Sequence, residues 1–321
     1  MLIALIVGAV GGCSQRHAAL RDYVRGRLAA DQGHVRQALR ELTQAIARNP
    51  QMVPAYEARA DIYRHAGKYR RAAADYRRAF DLNPWSFYAA YELGVMYQQL
   101  RQFPRAIRAY QYALQIRPHS PRAALHVAVA YAQAGNPAFG IIYARRAVAD
   151  GGHSFKTWAN LGVIYAQAAA QNAAYRPRAI HYLKRSLELQ PHQPRVYLDL
   201  AQMYLAQKRF HAAARILRTA QKLAPSALVS ERTGYCYYRL GRLAAAAAAY
   251  QNALKLNPHY TPALNGLGVV DMTQYIDNRS MTVRRGQALT LWKKSLGLDA
   301  NQPLIRKLVE RFTPGYGKSP R

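Results

Sequence analysis

Prolines recur along this chain at a nearly fixed interval. Pro50, Pro84 and Pro118 are 34 residues apart, Pro191 follows after 73, and Pro225 and Pro258 come after a further 34 and 33. Before each comes the same arrangement, as in Ala72, Tyr76, Ala79, Pro84 and again in Ala106, Tyr110, Ala113, Pro118. A period near 34 means one supersecondary unit copied along the chain, each copy too small to bury its own apolar face and so obliged to stack on its neighbours. β-branched runs of strand length are scarce and Ala, Leu and Tyr are abundant, so the units are expected to be helical. The proline ends the second helix of each unit.

The first helix of each unit carries a complementary pattern, clearest in Trp158, Leu161, Gly162 and Tyr165 and in Leu93, Gly94 and Tyr97. Small residues (Ala60, Gly94, Ala128, Gly162, Ala201, Gly234, Gly268) stand where paired helices must approach closely. These residues resemble the tetratricopeptide repeat signature W-x2-L-G-x2-Y, A-x3-F and P, with Leu183 or Tyr110 in place of the Phe. The resemblance implies an all-α fold, a right-handed α-solenoid of about eight helical hairpins. Unit starts fall near residues 19, 53, 87, 121, 155, 194, 227 and 261, so the array is expected to run from 19 to 302. Pro303 to Phe312, apolar at Leu304, Leu308 and Phe312, reads as a capping helix, and residues 313–321 as a disordered tail.

Two insertions, Ala168 to Arg178 and Gln274 to Gln287, lengthen turns inside the fifth and eighth units, where repeat proteins often place binding residues. Gly140 and Gly152 replace the alanine and the proline of the fourth unit, and Asp22 replaces the aromatic residue of the first; both units are expected to be weaker than the rest.

No catalytic signature is present: there is no H-E-x-x-H, C-x-x-C, G-x-S-x-G or glycine-rich strand-to-helix turn, and the terminal YGKSP lacks both the leading glycine and the following helix of a phosphate loop. The expectation is a protein without catalytic residues, cofactor or metal, whose function lies in binding. Within the tetratricopeptide family, unit positions 2, 5, 9, 12 and 13 face the concave groove, a stripe set about 100° from the core stripe. In the third unit these are Tyr88, Tyr91, Val95, Gln98 and Gln99; in the fourth, Arg122, Leu125, Val129 and Gln133. The fifth adds Lys156, Val163 and Gln167, and the sixth Arg195, Leu198, Gln202 and Leu205. The reading is an apolar floor with one cation per repeat, suited to an extended peptide or an amphipathic helix. Tyr91, Val129 and Leu198 are expected to carry affinity, with Arg122, Lys156 and Arg195 adding salt-dependent steering.

Charge adds a second expectation. The chain has 46 Lys plus Arg against 16 Asp plus Glu, a formal net charge of +30. Between Glu92 and Glu188 the one acid is Asp150, against twelve cations. Much of the excess falls on second helices, as in KYRRAAADYRRAF, so a basic convex face is expected to meet an anionic lipid or a wall polymer. Nucleic acid is the less favoured partner, because Tyr63, Tyr97, Tyr131, Tyr165, Tyr204 and Tyr237 recur at unit position 11, a core site.

Of two cysteines, Cys236 sits in a helical stretch and Cys13 ends the apolar run LIALIVGAVGG. That run resembles a bacterial lipoprotein signal: residues 1–12 as signal peptide, Cys13 as the lipidated residue and 13–18 as a short tether. The expectation is a scaffold lipid-anchored at the periplasmic face of the outer membrane, serving assembly of a pilus, secretion, polysaccharide or peptidoglycan machinery. The alternative is a cytoplasmic tetratricopeptide adaptor or RNA-associated repeat protein using its basic surface.

Overall fold

The structure, a computed structural model, describes residues 2–313, with side chains from residue 15 onward. The Cys13 side chain and the tail beyond Thr313 lie outside the described residues. The chain forms two compact units, Met1–Ala168 and Ala169–Arg321. Among the described residues all regular structure is helical.

In the N-terminal unit α1 (Leu2–Asp31) packs on α2 (Val35–Arg48), α3 (Val53–His65) on α4 (Tyr69–Leu82), α5 (Phe87–Gln99) on α6 (Phe103–Ile116), and α7 (Pro121–Gln133) on α8 (Pro137–Ala149). The division between the units falls inside α9 (Phe155–Gln171), at the first insertion. The C-terminal unit continues through a short 3-10 turn, Ala173–Tyr175, into α10 (Arg176–Leu189). Three hairpins follow: α11 (Pro194–Ala206) with α12 (Phe210–Leu223), α13 (Ala227–Arg239) with α14 (Leu243–Leu256), and α15 (Thr261–Asp277) with α16 (Thr282–Leu298). A last helix, α17 (Pro303–Phe312), packs on α16, with Ile305, Leu308, Val309 and Phe312 against the cluster around Trp292.

First helices after α1 begin at the residues where the sequence repeat begins. Ser86, Ser120 and Ser226, each one residue earlier, accept backbone N–H bonds from Ala89, Ala123 and Val229 and so cap α5, α7 and α13. The unit start near 19 has no such boundary. Residues 13–18, expected as a tether, lie within α1, because nothing from Ser14 to Ala19 breaks a helix.

All hairpins but the fourth carry one recurring pair: a small residue at unit position 8 on the first helix and a large side chain at position 24 on the second. A Cβ built on Gly26 would stand 2.7 Å from Leu42 Cγ, and one on Gly94 would stand 2.5 Å from Tyr110 Cδ1. One on Gly234 would stand 2.9 Å from Tyr250, and one on Gly268 would overlap the Trp292 indole. Leu42, Tyr76, Tyr110, Leu183, Leu217 and Trp292 at position 24 are almost wholly buried. Each contributes roughly 1.5–3 kcal/mol by leaving water.

The fourth hairpin departs from this. Position 24 is Ala144, and the helices meet instead at Gly140, where a Cβ would lie 2.7 Å from the Ala128 carbonyl oxygen. Gly152 is equally confined, 2.5 Å by the same construction from the Ala147 carbonyl oxygen. The two glycines expected as weak points are therefore close-approach sites. In the first hairpin Asp22 is buried but paired, its Oδ2 2.9 Å from Arg48 Nε.

In the six hairpins without an insertion, the turn places unit position 15 in the left-handed region. Gly33, Gly67, Gly135 and Gly241 fill it where the sequence allows, but Arg101 (φ 57°) and Lys208 (φ 58°) take the same conformation with a side chain, at a cost near 1–2 kcal/mol. Arg101→Gly should therefore raise the denaturation midpoint, by about 1 kcal/mol of stability. Gly140→Ala should lower it, by about 1–3 kcal/mol, although helix propensity alone favours the alanine. Urea unfolding of the two variants beside the parent measures both signs.

Candidate functional site

The groove positions read from the sequence occur in both units. In the N-terminal unit, α1, α3 and α5 enclose a cavity of about 510 Å³ whose lining includes Arg27, Asp31, Asp61, Arg64, His65 and Tyr88. Asp61 is its centre: Oδ1 accepts the hydroxyls of Tyr76 at 2.6 Å and Tyr88 at 2.5 Å, with Arg64 Nη2 at 3.4 Å. Glu57 accepts from Ser86 Oγ at 2.9 Å, and Glu92 lies 3.7 Å from Arg64 Nε. Burial raises the Glu57 and Glu92 carboxyls above the usual carboxylate range.

Tyr88 is exposed and lines this cavity, as a groove residue should. Tyr91 does not. Only 7% exposed, it stacks on Phe87 at 5.7 Å, meets His126 edge-on at 5.2 Å, and lies under Arg122 at 5.6 Å. An aromatic ring at unit position 5 is long enough to reach the next first helix, and packing there takes the surface that a ligand would need. Val95 and Leu125 are half-buried against the same core, and Val129 and Val163 are half-buried as well. The expected apolar floor of this unit is thus largely consumed by contacts between neighbouring helices. Arg122, Lys156, Gln99, Gln133 and Gln167 remain exposed. Gln98 accepts from Tyr110 Oη at 2.8 Å and donates to Gln133 at 2.7 Å, bridging α5 to α7.

In the C-terminal unit the predicted residues do converge on open space. Arg195, Leu198, Gln202 and Leu205 line a cavity of about 260 Å³, and Gln202 and Leu205 with Leu228, Glu231, Arg232, Tyr235 and Tyr260 line an adjoining one of about 490 Å³. Leu228 is exposed at its rim. Burial raises the carboxyls of Asp199 and Glu231, which Arg195 and Arg232 partly offset at 3.6 and 3.7 Å. Arg232 Nη1 also donates to Gln202 Oε1 at 2.5 Å. Apolar side chains, amide groups and both signs of charge therefore line one trough, which suits a peptide and offers no reactive constellation. Among the described residues no group of three His, Cys, Asp or Glu could hold a metal ion.

The carboxylates are what the sequence reading missed. Unit positions 5 and 9 of the second repeat are Glu57 and Asp61, and position 5 of the seventh is Glu231. The same positional rule finds them once it is applied beyond the third to sixth repeats.

Comparison with known proteins agrees with this architecture. Tetratricopeptide repeat profiles match residues 23–84, 58–121 and 91–155, then 177–230, and a further TPR repeat profile matches 234–274. The chain belongs to the tetratricopeptide repeat family. Proteins of this family generally serve as scaffolds that bind protein or peptide partners. No curated protein sequence matches this tetratricopeptide chain. Among solved structures, it resembles the C-terminal part of a TPR repeat-containing protein from Cytophaga hutchinsonii, with a TM-score of 0.62 at 20% identity over 76% of this chain and 99% of that one. PilW, described as a widely conserved type IV pilus biogenesis factor, gives 0.58 at 23% identity over 68% and 98%. A chain of the APC/C hetero-tetramer Cut9-Hcn1 gives 0.56 at 18% over 87% of this chain, which spans 52% of that one. At these identities the likeness is one of fold.

His126 yields a pH prediction. Burial, then the nearby Arg122 charge, lowers its pKa to about 4, and Tyr110 Oη stands 3.2 Å from its Nδ1. The native ring stays neutral while the unfolded ring takes a proton near 6.5. The stability that His126 supplies is thus present above 6.5 and is lost as pH falls toward 4, by up to about 3 kcal/mol. His126→Gln should flatten that acid limb, read as the wild-type minus variant difference in urea midpoint between pH 7 and 4.5.

Proposed function

We propose that this protein is an adaptor that holds peptide segments of other proteins against its first helices, chiefly in the trough of the C-terminal unit. The observation that carries the reading is the convergence of exposed Leu228 and half-buried Leu198 and Leu205 with Arg195, Gln202 and Tyr235 on adjoining cavities. An apolar side chain of the partner seats between the leucines, acidic groups meet Arg195, and Gln202 bonds to its backbone.

The proposal extends to place and process. A Gly-Gly-Cys after a short apolar run fits lipidation at Cys13 and tethering in the bacterial envelope, at the periplasmic face of the outer membrane. Among the described residues no helix is long and apolar enough to cross a membrane. The fold likeness to a type IV pilus biogenesis factor makes assembly of a pilus, or of secretion, polysaccharide or peptidoglycan machinery, the process it would serve. The basic second-helix surface would meet anionic lipid or wall polymer.

Two measurements test this. Affinity capture with Leu198→Asp plus Leu228→Asp should lose partners that the wild type retains; identical partner lists would remove the trough from the account. Metabolic labelling with palmitate should mark the wild type and not Cys13→Ala, whereas an unlabelled cytosolic protein would favour the cytoplasmic adaptor.

A further inference from the structure

The opposite side of the N-terminal unit holds a second kind of site. Helices α4 and α6, with Ala90, Leu93 and Tyr97 of α5, bound a cleft of about 280 Å³. Arg77 from α4 and Arg105 and Arg108 from α6 line it, over a floor that includes Phe80, Leu93 and Tyr112. Phe80 and Tyr112 lean together with ring centroids 5.5 Å apart. Tyr97 fixes two of the three guanidiniums: Arg77 Nη2 donates to its hydroxyl at 3.2 Å, and Arg105 lies over its ring at 5.9 Å.

Among the described residues no carboxylate stands within ion-pair distance of these three arginines. Asp81, on the same helix as Arg77, is the acid whose charge reaches it. The surroundings supply no other. Helices α2, α4, α6 and α8 carry eleven arginines and three carboxylates, and Asp75, one of the three, is bonded to Arg59. Helices α3, α5 and α7 carry three of each sign. With α1 adding four arginines and two carboxylates to the first-helix side, the excess positive charge of this unit is concentrated on the second-helix side, where the cleft lies.

Three guanidiniums without an ion-pair partner repel one another, and a single oxyanion relieves all three. The planar fork of arginine matches phosphate oxygens two at a time. The floor, however, is apolar and aromatic, which a bare phosphate would leave exposed to water. An amphiphile with a phosphate at one end satisfies both parts. We infer that this cleft takes the headgroup phosphate of an anionic phospholipid, with the first methylenes of its chain against Phe80 and Tyr112, and so docks the second-helix side on a membrane surface. The inference rests on the proposal that the protein works at a membrane, but it uses no part of the Cys13 anchor.

The test uses full-length Cys13→Ala protein, so that acylation plays no part, and sediments it with vesicles of phosphatidylcholine, with and without phosphatidylglycerol. The ratio of the two affinities cancels any contribution of the apolar N-terminal segment. Wild type should prefer the anionic vesicles by more than about tenfold, each surface cation being worth about fivefold. Arg77→Lys with Arg105→Lys and Arg108→Lys keeps the charge and removes the forks, and should lose most of that preference. Arg40→Gln with Arg70→Gln and Arg78→Gln removes three exposed charges outside the cleft and should lose less than the lysine variant. An unchanged preference in the lysine variant, or a larger loss in the glutamine control, would show diffuse attraction and overturn the site. A soluble short-chain phosphatidylglycerol should raise the melting temperature of the wild type and not of the lysine variant; equal protection by inorganic phosphate alone would overturn the lipid assignment. Failure of palmitate labelling with a retained vesicle preference would reject the anchor and leave the cleft standing.

Discussion

Everything in this structure depends on a small residue facing a large one across each helical hairpin. Where Gly94 meets Tyr110 or Gly268 meets Trp292, removal of one Cβ lets the two helices approach until a ring fills the space between them. The pairing fixes which face of each helix is spent on the hairpin, and so which faces are left for neighbouring units and for solvent. The fourth hairpin shows the rule by its exception. With Ala144 in place of the large residue, the helices close on Gly140 backbone to backbone. The volume moved, and the requirement for a complementary pair stayed.

Much of this was legible before any coordinate. The 34-residue period put helix starts at Val53, Phe87, Pro121, Phe155, Pro194, Ala227 and Thr261, because a proline stop and a small-residue stripe are local signals that tertiary context seldom overrides. In the C-terminal unit the leucines at positions 5 and 12 of α11, read as groove positions, line cavities together with residues of α13. In the N-terminal unit the same positions hold Tyr91 and His126 nearby, and their mutual packing closes what the pattern had left open. Periodicity reports the direction of a side chain and says nothing of its reach.

Charge and position are distributed by one geometry. In the C-terminal unit, α10, α12, α14 and α16 carry twelve cations and one carboxylate, while α11, α13 and α15 carry three and four. The N-terminal unit shows the same bias. A net charge of +30 thus coexists with first-helix surfaces close to neutral, where Asp61, Asp199 and Glu231 are held among tyrosines and arginines. The two sides of each stack can then serve different partners: one that reads side-chain shape, and one that reads charge.

The interlock also has a consequence in time. Its two halves are sixteen positions apart in an uninterrupted repeat, as Gly94 and Tyr110 are, so the decisive contact of a hairpin needs no residue from later in the chain. A ribosome that has released one repeat has released all that its closure requires, and loop-closure entropy is small at that separation. Such a molecule can order itself from its first repeat onward while still being synthesised, each finished hairpin offering an edge to the next.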